Sequence, residues 1–580
     1  MKKDIAKIAL KNTKIYLVIL VILSVGISYL TFLISMNIKY SIDSILFNNY
    51  NDIPQYLNII FNQNYIHDLL IMASIIVLLN LLEKLLNYFR DRVTTKFKLK
   101  ININLKETLY KHMLNLEYES YNSYDKTEII QRINEDADVY SDFFNNQLKV
   151  ILDIIFLSIF IMREGIELNL EILIYIFFSI IIMLLFSLWY LKKVGISIEN
   201  MICKRKKLLK ATINNINYFK FIRIFNKQEE EKQKYKILND NCYNEEAKFI
   251  KLVLFYDIVL EHLTYLKTPI IYMIGGIAII NGKMTMGALV AVHNLAEKIF
   301  DSIYTFGDNL DSIDNFKVVT KKINKLLQLK EENNDNHLYD LNGEIIFSNV
   351  SIYIDNQNIL KDINFMIKQG QNVAIIGENG SGKSILAKTI LGFYKYEGNI
   401  YINNHNIKRL NKEDIRKYVE LILGESYMFS GSILENIKLD NNIEISTLEK
   451  TLIDCDIKED IDNFKEGYNT LIGEKGTKLS GGQKQRISIA RGLIRGKPIL
   501  ILDEALNKLD NKTRKNILTS LVNNYKDKTI IFISNNLEII NYVDNIIYIN
   551  KKTTTMGTHN ELMVKNENYK EMIEINENII

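Results

Sequence analysis

The chain has 580 residues, a formal charge of +4 and a mean hydropathy of −0.02. That length implies several domains, and charge so near balance excludes a strong pull on nucleic acid, so no nucleic-acid partner is expected. Three cysteines, Cys203, Cys242 and Cys455, are too few and too scattered for a disulfide framework or a metal site.

Lys2, Lys3, Lys7, Lys11 and Lys14 precede a long apolar run that has no small-residue cleavage site after it. The run therefore reads as a retained membrane helix and not as a signal peptide. Six apolar segments predict crossings at about 15–37, 66–89, 146–163, 169–191, 258–281 and 286–307, each near the ~20 residues that span ~30 Å of hydrocarbon. Lys149 and Asp153 interrupt the third, and the last two are polar. Arg90, Arg92, Lys96, Lys98 and Lys100 follow the second segment, and Lys192, Lys193 and Lys204–Lys207 follow the fourth; the connection 38–65 carries only Lys39. By the positive-inside rule the N-terminus, these basic segments and everything after the sixth helix are cytoplasmic, which predicts a multi-pass protein of the cytoplasmic membrane, in contact with its lipid.

The polar stretches at about 90–145 and 193–256 keep apolar residues at helical spacing, as in Leu105, Leu109, Met113 and Leu116. They predict helical hairpins that continue the membrane helices into the cytoplasm. Glu261, His262 and Lys267 fall in the fifth segment, and His293, Glu297 and Lys298 in the sixth. Such groups are costly against lipid, so they either line a wet pathway or pair between helices near an interface. Pro269 predicts a kink or a break in the fifth helix.

The membrane part is expected at 1–310, a linker at 311–343 and a soluble α/β part at 344–580. Within the linker, Lys322–Leu341 is charged and Asn-rich, without an apolar period. Beyond Ile345, short β-branched runs alternate with amphipathic stretches. Val373–Ile376 reads as a buried strand. It runs into Gly377, Glu378, Asn379, Gly380, Ser381, Gly382, Lys383 and Ser384, and then into an apolar helix. This is G-x-x-x-x-G-K-S in the strand–loop–helix setting that the motif needs. Its glycines let backbone N–H groups converge on phosphate, Lys383 reaches the β- and γ-phosphates, and Ser384 suits Mg²⁺. ATP and Mg²⁺ are the expected cofactors. A second buried strand, Ile499–Leu502, ends in Asp503 and Glu504. Asp503 is placed to hold Mg²⁺ through water, and Glu504 to orient or deprotonate the attacking water.

About twenty residues upstream of Asp503 stands Leu479, Ser480, Gly481, Gly482, Gln483. This pentapeptide, with the phosphate loop and the acidic strand in that order, resembles the ATP-binding cassette transporters, and six helices ahead of it resemble their exporter half-transporters. Thr470–Gly476, Gly557–Leu562, and Arg132 with Asp136 agree with that likeness. The resemblance implies an α-helical membrane domain followed by an α/β P-loop cassette. It further implies ATPase activity coupled to export, and a second half-transporter chain whose cassette closes head-to-tail on this one. Ser480, Gly481, Gly482 and Gln483 would then clamp the nucleotide of that partner, and turns near Tyr118–Lys126 and Asn217–Phe225 would transmit the motion.

Three positions depart from the family pattern. Gly424 stands where a Gln is usual, with Glu425 beside it; Asn535 replaces a His; and the adenine-stacking aromatic falls at Ile354, with Tyr353 one residue out of step. Asn535 can still donate to the γ-phosphate but carries no charge. These departures imply a pocket that binds ATP and hydrolyses it slowly, and favour a heterodimer over a homodimer. The expected cargo is hydrophobic, amphipathic or peptide. The alternative is a regulatory or resistance subunit that binds ATP with little transport of its own.

Overall fold

The computed structural model describes residues 5–46, 61, 64–168, 170–332, 339–354, 357–439, 443–550 and 552–577. Of the residues singled out in the sequence, Lys2, Lys3 and parts of the 38–65 connection and of the linker lie outside these. The chain forms two compact units, one from residues 1–114 and 124–329, the other from 115–123 and 330–580.

In the first unit six long helices stand at the predicted places: Lys14–Tyr40, Tyr65–Leu114, Ala137–Leu168, Leu170–Asn217, Gln228–Ile280 and Met286–Asp308. Among the described residues five spans are long and apolar enough to cross a membrane. Met286–Asp308 falls short because Glu297, Lys298 and Asp301 lie within it. Three of the helices have 50, 48 and 53 residues. At 1.5 Å per residue that is about 70–80 Å, so the crossings run on unbroken into the polar stretches. Leu78, Leu81, Leu85, Phe178 and Leu185 lie exposed along them, a distribution that lipid satisfies and water would penalise.

Much of the intramembrane charge is paired. Arg90 bonds Asp153 and Asn87, which accounts for the interruption of the third helix. Buried Lys267 stands 3.9 Å from Asp301 and 5.5 Å from the Phe300 ring, and Tyr265 donates to Glu261 at 3.2 Å. Of the kink or break expected at Pro269, the break does not occur: the helix is continuous through it. Burial of Lys267, Ile271 and Gly275 on either side holds the backbone where one N–H is missing. Arg132 and Asp136 form a buried pair at 2.5 Å in a π-helical turn.

The stretch read as aperiodic linker begins in a helix. Leu310–Leu327 buries Val319, Ile323, Leu326 and Leu327. This is a helical stripe that the flanking lysines and asparagines conceal in the sequence.

The second unit carries two sheets. One is antiparallel, in the order β2-β1-β4-β5, formed by Gln357–Ile367, Ile345–Ile354, Tyr396–Ile402 and His405–Asn406. The other has the order β10-β9-β3-β8-β7-β6: Thr553–Gly557, Asn545–Asn550, Asn372–Gly377, Thr529–Ile533, Ile499–Asp503 and Val419–Leu423. Strands β9, β3, β8, β7 and β6 are parallel. Strands β7 and β8 are buried along their whole length, which their unbroken Ile and Leu runs suit. Because β3, β8, β7 and β6 are parallel neighbours, the residues after each emerge along one edge of the sheet, where open α/β sheets bind ligands.

The turn after the Tyr65–Leu114 helix belongs to this second unit. Leu116 bridges Glu331, the Glu117 N–H donates to Lys330 O at 2.9 Å, and the Glu332 N–H donates to Asn115 O at 2.8 Å. The Tyr118 ring packs at a tilt against Phe393, with centroids 4.8 Å apart, and Lys395 donates to Glu119 at 2.8 Å, which raises the Lys395 pKa.

Candidate functional site

Four loops meet at the sheet edge: 377–383 after β3, Glu504 after β7, Asn535 after β8 and Gly424 after β6. In the first, Gly380 and Gly382 take φ of +81° and +98°, a conformation in which a side chain is strained. Gly382 also abuts Ile359 and Leu360, where a Cβ would come within 3.2 Å. The Lys383 ammonium is buried and donates to Gly377 O at 2.7 Å and Glu378 O at 2.8 Å. Burial lowers its pKa below the ordinary 10.5, against the opposing pull of Glu504 and Asp503. A buried ammonium at the start of the Lys383–Ile390 helix, beside wrapped N–H groups, is a cradle for an anion.

Ser384 Oγ donates to Asp503 Oδ1 at 2.7 Å. The sequence places these residues 119 positions apart, and the β3–β8–β7 order joins them. Glu504 sits at φ +53°, which costs a non-glycine residue about 1–2 kcal/mol. Its N–H is tied to Ile533 O at 2.9 Å, which holds that conformation. Its Oε1 lies 3.3 Å from Asn535 Nδ2, and the same nitrogen lies 2.7 Å from Asn379 Oδ1. Gly424 packs against this corner: a Cβ there would stand 3.0 Å from Glu504 O and 3.2 Å from Glu504 Cβ.

Two clefts flank the loop. One is lined by Gln357, Asn358, Ile359, Glu378, Asn379, Gly380, Ser381 and Lys552. Asn358 Oδ1 and Ser381 Oγ are buried without a partner among the described residues. Among the described residues no aromatic lines this cleft, and Tyr353 stands 41% exposed. Ile352 pairs with Leu360 and Tyr353 with Asn358, so the extra residue at this bulge is Ile359 of β2. Tyr353–Asn358 and Ile354–Gln357 then follow in step, and Tyr353 and Ile354 lie on opposite faces, as the alternation predicts. The other cleft includes Ser384, Lys388, Gly424, Glu425, Tyr427, Asp503, Glu504 and Lys508. Glu425, next to Gly424, accepts from Tyr427 OH at 2.8 Å.

Ser480 caps the Gly481–Ile494 helix through a reciprocal pair: Ser480 Oγ accepts from Gln483 N at 3.2 Å, and Gln483 Oε1 accepts from Ser480 N at 3.0 Å. Gln483 Nε2 also donates to Asp460 at 3.0 Å. Ser480 and Gly481 are exposed, and open space surrounds the positions a Cβ would take at Gly481 and Gly482. This helix end is free to meet an anion, and the residues found with it do not include the phosphate loop of the same chain.

Sequence reasoning missed the frame that carries these loops. Asn436 is buried and bonds Phe429 N at 2.8 Å, Phe429 O at 2.9 Å and Ser432 O at 3.0 Å. Arg491 donates to Asn436 O and Tyr427 O, both at 2.7 Å. Buried Gln485 donates to Leu423 O at 3.2 Å. Asn436 lies far from Gln485 and Arg491 in the sequence, so only the fold shows that the three form one frame. Asn436→Ala leaves the Phe429 N–H and C=O unpaired, while Ser432 O keeps the Asn436 N–H at 3.1 Å; it is expected to cost about 2–4 kcal/mol, read as a fall in the melting temperature of the full chain.

A phosphate cradle on a parallel sheet, fused in one chain to membrane-crossing helices, defines a membrane-bound P-loop ATPase. The family described as ABC transporter matches residues 360–507, and the ABC transporter transmembrane region matches residues 17–303. A putative export ATP-binding/permease protein of Rickettsia typhi is 30% identical over 87% of this chain and 88% of its own. The ATP-dependent lipid A-core flippase of Wigglesworthia glossinidia brevipalpis is 29% identical over 80% of this chain and 82% of its own. The structure of a bacterial Atm1-family ABC exporter with ATP bound shares the fold, with a TM-score of 0.85 and 21% identity over 96% of this chain and 98% of that one. The chain belongs to the ABC transporters, as a half-transporter of the exporter type that hydrolyses ATP to drive export.

Proposed function

We propose that this chain is the slowly hydrolysing half of a heterodimeric exporter in the cytoplasmic membrane, with its N-terminus and cassette in the cytoplasm. The observation that carries the slow site is the corner around Glu504. Gly424 brings no side chain to it, and Asn535 brings a neutral amide. Lys383 and the loop N–H groups bind the triphosphate, with the base beside Ile359, Asn358 and Tyr353. Water attacks the γ-phosphorus as the bond to the β-bridging oxygen breaks, Glu504 takes the water's proton, and ADP and phosphate leave. The Ser384–Asp503 pair offers two hard oxygen groups side by side, a donor set that fits Mg²⁺. When bound, that ion neutralises charge on the β- and γ-phosphates.

Ser480, Gly481, Gly482 and Gln483 present a helix N-terminus that clamps the nucleotide of a different chain, whose pocket turns over faster. Lysine and arginine bias in the short flanks supports the orientation. The name of the Wigglesworthia relative supports an amphipathic cargo, within the wider class of hydrophobic, amphipathic or peptide substrates.

The chain purified alone in lipid is expected to bind ATP and hydrolyse it slowly. Brisk turnover that Glu504→Gln abolishes would reject the slow site. Asn535→His is expected to raise turnover several-fold and to add an acid limb near pH ~6.5, the ordinary titration range of histidine. The wild-type pH profile is expected to lack that limb.

A further inference from the structure

We propose that Asn379 is a positioning residue for hydrolysis, fixing the Glu504 carboxylate through the amide of Asn535. The inference rests on Glu504 as the group that takes the water's proton, and extends the machinery into the phosphate loop itself.

The hydrogen-bond roles in this corner are forced. An ionised carboxylate only accepts, so the Asn535 group 3.3 Å from Glu504 Oε1 is its nitrogen. That NH₂ has two hydrogens, and the second points to the atom 2.7 Å away on Asn379. This atom must in turn be an acceptor, the Asn379 oxygen. Turning either amide over would set oxygen against oxygen or NH₂ against NH₂. The chain Asn379–Asn535–Glu504 therefore has one low-energy arrangement.

The phosphate loop does not need the Asn379 side chain to cradle phosphate, since its backbone N–H groups and Lys383 do that. The side chain is exposed and packs no core. Its bond to Asn535 spans 156 positions of sequence and links the loop after β3 to the loop after β8. Glu504, pinned at φ +53° through Ile533 O, has its backbone fixed but its carboxylate free to turn. Asn535 restrains that carboxylate, and Asn379 restrains Asn535. Both links are neutral amides, so the restraint holds at every pH at which Glu504 is ionised.

The test is a double-mutant cycle on the full chain in lipid nanodiscs, with ATP turnover and ATP affinity measured separately. Asn379→Ala is expected to lower kcat about tenfold, the weight of one hydrogen bond acting on a charged group, and to leave KM and the affinity for ATP within about threefold. Asn535→Ala is expected to do the same, and the double variant to lose no more than either single one. Losses that multiply in the double variant, or a loss confined to KM, would overturn the relay. A Glu504→Gln chain that turns over like the wild type would instead remove the underlying role of Glu504, and a fast wild type would remove only the slow-site reading.

Discussion

Gly482→Asp in this chain is expected to abolish ATP hydrolysis by the assembled pair, by about 10²-fold or more, while leaving the chain fully folded. Nothing surrounds the position that a Cβ would occupy at Gly482, so the substitution meets no steric barrier. An acid in the first turn of the Gly481–Ile494 helix even favours that helix. The same charge, facing a triphosphate, opposes the clamp. The check is ATPase activity of the co-purified pair beside the melting temperature of the variant. Glu504→Gln in the same chain is expected to slow the pair far less, because the proposed fast pocket belongs to the other chain. Equal losses from the two variants would point to two equivalent sites and reject the division of labour.

The second large effect is at Lys383. Lys383→Ala is expected to reduce turnover at this chain's own pocket by about 10²–10³-fold and to weaken ATP binding, as titrated with a fluorescent analogue. The side chain holds two loop carbonyls and supplies the buried charge. Because burial lowers the Lys383 pKa below 10.5 and a bound anion raises it, ATP affinity is expected to be complete below that lowered value. Affinity is lost as pH climbs through it, since the protonated form is the one that binds. Lys383→Arg, which stays charged, is expected to flatten this alkaline limb even if it binds less well.

The parts of the site that lie in one short run were legible before any fold was known. Gly377–Ser384, Ser480–Gln483 and the Asp503–Glu504 pair each carry their chemistry in local order, and the long apolar runs carry the helices. What was hidden depends on residues far apart in sequence. The tight approach of Gly424 to Glu504 follows from β6 and β7 being parallel neighbours. The Asn379–Asn535 bond needs β3 beside β8. The departures at 424 and 535 read from sequence as losses, yet the fold fills each place, one with close backbone packing and the other with an amide bridge. Leu310–Leu327 was obscured because only its end falls within the charged Lys322–Leu341 stretch, where Ile323, Leu326 and Leu327 stand apart from the apolar residues that complete their face.

The backbone pairing of Asn115–Glu117 with Lys330–Glu332 makes the soluble unit discontinuous, and this bears on its birth at the ribosome. Segment 115–123 is synthesised more than two hundred residues before its partners Lys330, Glu332, Phe393 and Lys395 exist. At roughly 5–20 residues per second it waits on the order of ten seconds to a minute, with Tyr118 uncovered. Four of the six long helices, Ala137–Leu168 to Met286–Asp308, are synthesised in that interval, so the cassette finishes folding only after all six have been made.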